Sequence, residues 1–94
     1  MTLVGQDKID AFVKRNAQAR KSMQAWVTEV KHAHWKTPQD IKNRYRSADF
    51  LKNNRVIFDI KGNSYRLLVK VAYQTGVVFV EWIGTHGEYD KKKF

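Results

Sequence analysis

The chain has 94 residues, the length of one small domain, and is too short for a Rossmann domain or a TIM barrel. Its 18 Lys and Arg residues outnumber its 9 Asp and Glu residues, so the formal net charge is +9. A surplus of this size indicates a polyanionic partner such as RNA, DNA, an acidic protein or an anionic membrane. The chain has no cysteine, which excludes disulfide bonds, thiolate catalysis and cysteine-ligated zinc.

No segment has the pattern of a signal peptide or a membrane span. Residues 1–10 contain no apolar stretch followed by a small-residue cleavage site. The longest uncharged stretch, residues 71–80, is far shorter than the roughly 18 apolar residues that a membrane span requires. We therefore expect a soluble, cytoplasmic protein with no membrane partner, folded as a single domain over residues 1–94.

The first half of the chain has the apolar spacing of helices. Apolar residues recur three and four positions apart over residues 6–19 and again over residues 22–35, which predicts two amphipathic helices. Ser22 is the expected N-cap of the second helix. The run Thr37-Pro38-Gln39-Asp40 has a capping hydroxyl, an early proline and an acid in the first turn, so it predicts a short helix that reaches Tyr45.

The second half alternates apolar and polar residues, as strands do. Residues 47–54 lack periodicity and are expected to be a connection. The strands are expected at residues 55–61, 65–73 and 77–83. Gly62-Asn63 and residues 74–76 are the expected turns, and Gly84 is the expected end of the last strand. The predicted class is α+β, with N-terminal helices packed on one face of a small antiparallel sheet in the order α-α-(short α)-β-β-β.

Residues 85–91 follow the last strand and read Thr-His-Gly-Glu-Tyr-Asp-Lys. They concentrate the groups needed for general acid–base chemistry with charge stabilisation. In the alternative interpretation this segment is a polar tail, in which His86 caps the strand and Tyr89 covers the core. The residue types leave the two interpretations about equally supported.

Arg66 and Lys70 lie four positions apart on one strand, so they share a face. Arg55 is expected beside them on the neighbouring strand. Cations on a sheet face next to His86 could hold a phosphate, because Arg binds phosphate bidentately and Lys supplies a point charge. Taken alone, however, the pattern is more typical of a solvated outer face.

The helical half also carries many scattered cations: Lys14, Arg15, Arg20, Lys21, Lys31, Lys36, Lys42, Arg44, Arg46 and Lys52. They fit a broad footprint on a nucleic acid, although solubility alone accounts for about half of them. His32 and His34 are two apart and would point to different sides of a helix. We therefore predict no metal site and no cofactor.

Several segments together resemble one known family. They are Trp26 with Glu29-Val30, Ala33-His34-Trp35, Ser47-Ala48-Asp49, residues 54–60, Gly62-Asn63-Ser64-Tyr65-Arg66-Leu67 and Thr85-His86-Gly87-Glu88-Tyr89-Asp90-Lys91. With these segments the chain resembles the HigB toxins of bacterial type II toxin–antitoxin modules, from about residue 20 to Lys92. The pair formed by the Gly62–Leu67 and Thr85–Lys91 segments is more specific than either segment alone.

The resemblance implies a RelE-like fold and an mRNA interferase, a toxin that inhibits translation by cleaving mRNA on the ribosome. It also implies neutralisation by a HigA-like helix-turn-helix antitoxin, with operator DNA bound only through that antitoxin. The residues implied as catalytic are Arg66, His86, Tyr89, Asp90 and Lys91. Asn63 and Arg55 are implied as supports, whereas Lys70 is added from strand alternation and not from a matched motif.

Such a toxin could cleave RNA without a metal, by attack of the RNA's own 2′-hydroxyl on the adjacent phosphorus. The expected roles are charge stabilisation by Arg66 with Lys70 or Lys91, and acid or base catalysis by His86. Tyr89 would stack on a base or share the proton transfer, and Asp90 would orient His86 or hold the loop. The first alternative is a non-catalytic RNA- or ribosome-binding module. A DNA-binding regulator and, more remotely, a membrane-active basic peptide are the others.

Overall fold

The computed structural model of the protein describes residues 1–92 and 94, which form a helical layer and a five-stranded sheet. The helices are α1 (Gln6–Arg15), α2 (Arg20–His32), α3 (Pro38–Arg44) and α4 (His86–Asp90), with a 3₁₀ turn at Ala17–Ala19. The strands are β1 (Thr2–Val4), β2 (Asp49–Leu51), β3 (Arg55–Ile60), β4 (Tyr65–Ala72) and β5 (Val77–Thr85).

The sheet has the strand order β1-β5-β4-β3-β2. Strands β2 to β5 pair antiparallel, whereas β1 pairs with β5 in parallel, so the sheet is mixed. The α+β class is confirmed, but the predicted α-α-β-β-β order is wrong. β1 precedes the helices, and β2 lies within residues 47–54, which were expected to be a connection. Both missed strands have three residues, too few to show an alternating pattern.

Three predicted boundaries also differ from the structure. α1 ends before Asn16, whose backbone leaves the helical region, so residues 6–19 are not one continuous helix. α2 begins at Arg20, which places Ser22 in its first turn and not at the N-cap. β5 continues through Gly84 to Thr85, because both residues pair with β4.

The short helix and the hairpin are as predicted in position. Thr37 caps α3 through a reciprocal capping box with Asp40, and the proline lies in the first turn. The β3–β4 connection covers residues 61–64, with positive φ at Lys61 and Gly62, so it is longer than the predicted two-residue turn at Gly62-Asn63. The register then places Asp59 opposite Arg66.

The main core lies between the helices and one face of the sheet. Trp26 from α2 packs edge-on against Phe58 of β3 with ring centroids 5.4 Å apart, and Trp35 stacks on the same ring at 6.0 Å. The largest fully buried side chains include Trp26, Phe12, Phe58, Met23, Ile41 and Leu67. Among the described residues, no helix has the combined length and apolar character needed to cross a bilayer.

The opposite side of the sheet, here called the open face, is not covered by the three N-terminal helices. Strand alternation and register place on it Arg55, Ile57, Asp59, Arg66, Leu68, Lys70, Phe79, Trp82 and Gly84. A bulge at Leu68/Val69 leaves Glu81 as the extra residue on β5, which is why Trp82 points to the open face. α4 packs against β4 and β5 and covers one end of this face.

Candidate active site

Arg66 is the centre of a hydrogen-bonded cluster at the α4 end of the open face. It is 8% exposed and, among the described residues, is the only charged side chain that is buried. Its Nε lies 3.1 Å from Oδ1 of Asp59. Nη1 donates to the carbonyl oxygens of Asn63 and Tyr65, and Nη2 donates to Oδ1 of Asn63 and to Nδ1 of His86. The four N–H groups on Nη1 and Nη2 therefore all have acceptors inside the protein, and Nε faces the Asp59 carboxylate as an ion pair.

His86 is the first residue of α4 and links Arg66 to Asp90. Its Nδ1 lies 3.0 Å from Nη2 of Arg66, and because a guanidinium only donates, Nδ1 must accept. The neutral ring therefore carries its proton on Nε2, which lies 3.2 Å from Oδ2 of Asp90. The His86 and Asp90 side chains are 45% and 59% exposed, so this end of the cluster is accessible from solvent.

α4 is anchored at its first turn. The Thr85 hydroxyl accepts from the Glu88 amide at 3.1 Å, and the Glu88 carboxylate accepts from the Thr85 amide at 2.8 Å. The amide of His86 donates to the carbonyl of Ser64 in the β3–β4 turn. These contacts give His86 and Asp90 a defined position over β4 even though α4 has only five residues.

Tyr89 holds α4 onto the open face. Its ring lies 5.4 Å from the Arg66 guanidinium, a cation–π distance, and 6.4 Å from the ring of Trp82. It also stacks on the ring of Phe94 at 6.0 Å. Tyr89 thus covers one side of the Arg66 guanidinium while remaining partly exposed.

Arg55 and Lys70 lie at the other end of the open face. They are register partners on β3 and β4, as expected, but four residues of strand separate Lys70 from Arg66, a distance of about 13 Å between Cα atoms. Arg55 pairs with Glu81 at 3.0 Å and lies over the ring of Phe94. Lys91 is exposed at the C-terminal end of α4. The structure therefore brings together Arg66, His86, Tyr89, Asp90 and Asn63, and separates them from Arg55 and Lys70.

Sequence reasoning missed two residues of this cluster. Asp59 holds Arg66, and the predicted hairpin already places these opposite charges across from each other. Glu88 anchors α4, and Thr85-His86-Gly87-Glu88 fits the Ser/Thr-x-x-Glu pattern of a capping box. Both signals were present in the sequence.

A family model described as the RelE-like toxic component of a toxin–antitoxin system, the HigB toxin model, matches residues 19–92. The chain belongs to the HigB toxin family. The match spans β2 to β5, α4 and every residue of the Arg66 cluster, and it confirms the family resemblance read from the sequence. Membership in a toxin–antitoxin family also implies a cognate antitoxin as partner.

Curated HigB proteins resemble the chain over almost its whole length. The mRNA interferase toxin HigB of Escherichia coli strain K12 is 23% identical over 92 residues, which cover 96% of this chain and 88% of the relative. The mRNA interferase HigB proteins of Escherichia coli O157:H7 and Shigella flexneri match to the same extent. The HigB-type chain is thus similar to relatives of comparable length.

Proposed function

We propose that this HigB-family toxin is an mRNA interferase that inhibits translation by cleaving mRNA. The observation that carries the proposal is the cluster in which buried Arg66 holds the accessible His86–Asp90 pair at one end of the open face. The names of the HigB relatives support RNA as the substrate.

An open face suits a polymeric substrate better than a small molecule. His86, Asp90 and Lys91 are accessible at the α4 end, and Lys70 is exposed at the other end. A single strand laid along this face would present one phosphate to the Arg66 cluster and others to the remaining cations. The formal charge of +9 favours that binding.

The geometry supports attack by the RNA's own 2′-hydroxyl, without a metal. The 2′-oxygen forms a bond to the adjacent phosphorus, the bond from phosphorus to the 5′-oxygen breaks, and the products are a 2′,3′-cyclic phosphate and a 5′-hydroxyl. His86 takes the 2′-hydroxyl proton on Nδ1, while Asp90 accepts a hydrogen bond from Nε2–H and stabilises the imidazolium. The Tyr89 hydroxyl is the candidate donor of the proton that the leaving 5′-oxygen requires.

Arg66 would have two successive roles in this scheme. In the structure its Nη2 donates a hydrogen bond to Nδ1 of His86 and so occupies the lone pair of that nitrogen. A phosphate oxygen is a stronger acceptor for the guanidinium than a neutral imidazole, because the phosphate is itself negatively charged and can bind arginine bidentately. Phosphate binding would therefore draw Nη2 away, free the lone pair of Nδ1 for the 2′-hydroxyl proton and stabilise the charge that develops on phosphorus. Lys91 would add positive charge nearby, whereas Lys70, about 13 Å from Arg66, would bind a neighbouring phosphate.

The ribosome and the antitoxin complete the proposal. The scattered helical cations would bind rRNA, and the ribosome would position mRNA so that the acid–base groups become effective. A HigA-like helix-turn-helix antitoxin would cover the open face, and operator DNA would be bound only through it. These steps take place in the cytoplasm, where mRNA and ribosomes are.

The test is to induce the toxin briefly in bacteria and to map new 5′ ends across the mRNA pool. The wild-type protein should create new 5′-hydroxyl ends within translated regions and arrest growth. His86→Ala should abolish both while still binding the antitoxin, and the matched variant His34→Ala, an exposed histidine outside the cluster, should behave like wild type. Growth arrest without new 5′ ends would refute the proposal.

The second candidate is a non-catalytic RNA- or ribosome-binding module. The observation in its favour is that Nη1 and Nη2 of Arg66 are already hydrogen-bonded within the protein and Nε is ion-paired with Asp59, which suits a structural residue. In that case His86→Ala would keep full toxicity, and toxicity would not depend on new mRNA ends. The same experiment therefore separates the two functions.

A further inference from the structure

A row of four side chains crosses the open face at the end away from Arg66. The register pairs Val4 of β1 with Phe79 of β5, Phe79 with Lys70 of β4, and Lys70 with Arg55 of β3. Because register partners share a face, all four side chains point away from the helical core. We call these residues the Phe79 row.

The Phe79 row combines exposed apolar surface with positive charge. Phe79 is 39% exposed and Val4 is 45% exposed. Both lie on strands that are paired within the sheet, and neither side chain belongs to the core. Lys70 is exposed, and among residues 1–92 and 94 no carboxylate lies within ion-pair distance of it. Arg55 is held beside it by Glu81.

We propose that the Phe79 row is a base-stacking subsite for single-stranded RNA, with the Phe79 ring under one base and Lys70 on a neighbouring phosphate. The inference rests on the proposed RNA-cleaving function and names a substrate contact for it. Aromatic side chains interleaved with cations are the usual platform for single strands, since every base offers a π-face and every nucleotide a phosphate.

The position of the Phe79 row gives the subsite a defined relation to the cleavage centre. Lys70 lies four residues along β4 from Arg66, about 13 Å between Cα atoms. The base on Phe79 would therefore belong to a different nucleotide from the one whose phosphate meets Arg66 and His86. Leu68 and Ile57 lie between the two ends of the open face, and both are buried. The RNA would therefore cross this region without contacting either side chain.

Charge favours RNA over an apolar protein segment as the occupant. Lys70 has no carboxylate partner in the part of the chain that the structure describes, and the surface continues along the same face into the site where the phosphodiester would react. An apolar protein segment would bury Val4 and Phe79 but would leave the Lys70 ammonium without a counter-charge, which is costly on desolvation. A nucleotide satisfies the ring and the ammonium together.

The test measures the affinity of the full chain for a short single-stranded RNA whose 2′-hydroxyls are O-methylated, which blocks the proposed nucleophile. Phe79→Ala should raise the dissociation constant by roughly 5- to 100-fold, the range for one lost base stack. Phe79→Trp should restore the wild-type affinity. The matched control is Phe50→Ala, because Phe50 is also 39% exposed and lies near Lys42 but belongs to the other face.

Two further measurements identify the contact. An abasic nucleotide, scanned along the RNA, should weaken binding by wild type at one position and leave binding by Phe79→Ala unchanged there. Lys70→Ala should reduce the salt dependence of binding by about one ion, whereas Lys42→Ala should reduce it less.

Each outcome decides the proposal. If wild type cleaves mRNA in cells and Phe79→Ala binds the RNA as wild type does, the subsite is refuted and the proposed function stands. If Phe79→Ala loses affinity for the antitoxin but not for RNA, the Phe79 row is a protein interface and the subsite is again refuted. If wild type neither cleaves mRNA nor binds the RNA, the proposed function and the subsite are both refuted.

Discussion

Nη2 of Arg66 and Nδ1 of His86 lie 3.0 Å apart, so a guanidinium on β4 determines which nitrogen of an imidazole on α4 carries the proton. Across the ring, Oδ2 of Asp90 lies 3.2 Å from Nε2. The one ring nitrogen of neutral His86 that has a lone pair, Nδ1, therefore faces Arg66. A group that takes the Arg66 hydrogen bond would therefore also uncover Nδ1 of His86.

His86→Asn tests this arrangement. The asparagine side-chain oxygen can take the place of Nδ1 as the acceptor for Arg66, but an amide accepts no proton at neutral pH. We expect a folded protein that still binds RNA and antitoxin, with cleavage reduced by roughly 10²- to 10⁴-fold, the usual contribution of a general acid or base. Cleavage is measured as the rate at which a reporter mRNA disappears in a translation extract. A rate within a few-fold of wild type would show that His86 transfers no proton.

Asp59→Ala tests the support behind Arg66. The Arg66 and Asp59 side chains are only 10% and 21% exposed, so removing the carboxylate leaves a nearly buried cation without its partner. We expect the free energy of unfolding to fall by about 3 kcal/mol, measured by urea denaturation. Glu81→Ala removes the carboxylate from the more exposed Arg55 pair and should cost less than about 1 kcal/mol. Equal losses in the two variants would contradict the buried role of Asp59.

Gly84→Ala tests the close packing beside the cluster. Gly84 pairs with Arg66 across the sheet, and a Cβ atom there would lie 2.5 Å from the ring of Trp82. We expect a loss of about 1–3 kcal/mol in unfolding free energy, as overpacking usually costs, with reduced cleavage because Tyr89 packs on the same ring. Gly87→Ala adds a methyl group with no atom closer than 4.0 Å and should stabilise α4 slightly. Equal stability in the two variants would disprove the close contact.

Tyr45→Phe tests how stability depends on pH on the helical side. Burial raises the pKa of Tyr45 well above its usual value, and the nearby Glu29 carboxylate raises it further. The folded state therefore favours the neutral phenol. This stabilisation is complete below the unfolded pKa of about 10 and is lost as pH rises above it. Urea denaturation between about pH 8 and about pH 11 should show a steeper alkaline loss for wild type than for the variant. Parallel curves would contradict the shift.

The sequence predicted the parts of the site that depend on local pattern. Strand alternation placed Arg55, Arg66 and Lys70 on one face, and the turn at Gly62 set the register that brings Asp59 to Arg66. These follow from nearest-neighbour geometry, which a period of two and a tight turn determine.

The parts that the sequence did not predict depend on long-range contacts. Residues 2–4 form the strand β1 only because they pair with β5, which lies near the other end of the chain. Three residues alone are too few to predict a strand. The burial of Arg66 likewise depends on α4 folding back over β4, where Tyr89 meets the guanidinium. Alternation assigns Arg66 to a face but says nothing about what covers that face.

Thr85→Ala and Thr37→Ala form a matched pair, because each threonine caps a helix through the same reciprocal motif. Each substitution should cost about 1 kcal/mol of unfolding free energy. Only Thr85→Ala should also reduce mRNA cleavage, by about 10- to 100-fold, because α4 carries His86 and Asp90 and small displacements of acid–base groups are costly. Thr85→Ser should restore both properties. Equal cleavage by the two alanine variants would show that the position of α4 does not control the reaction.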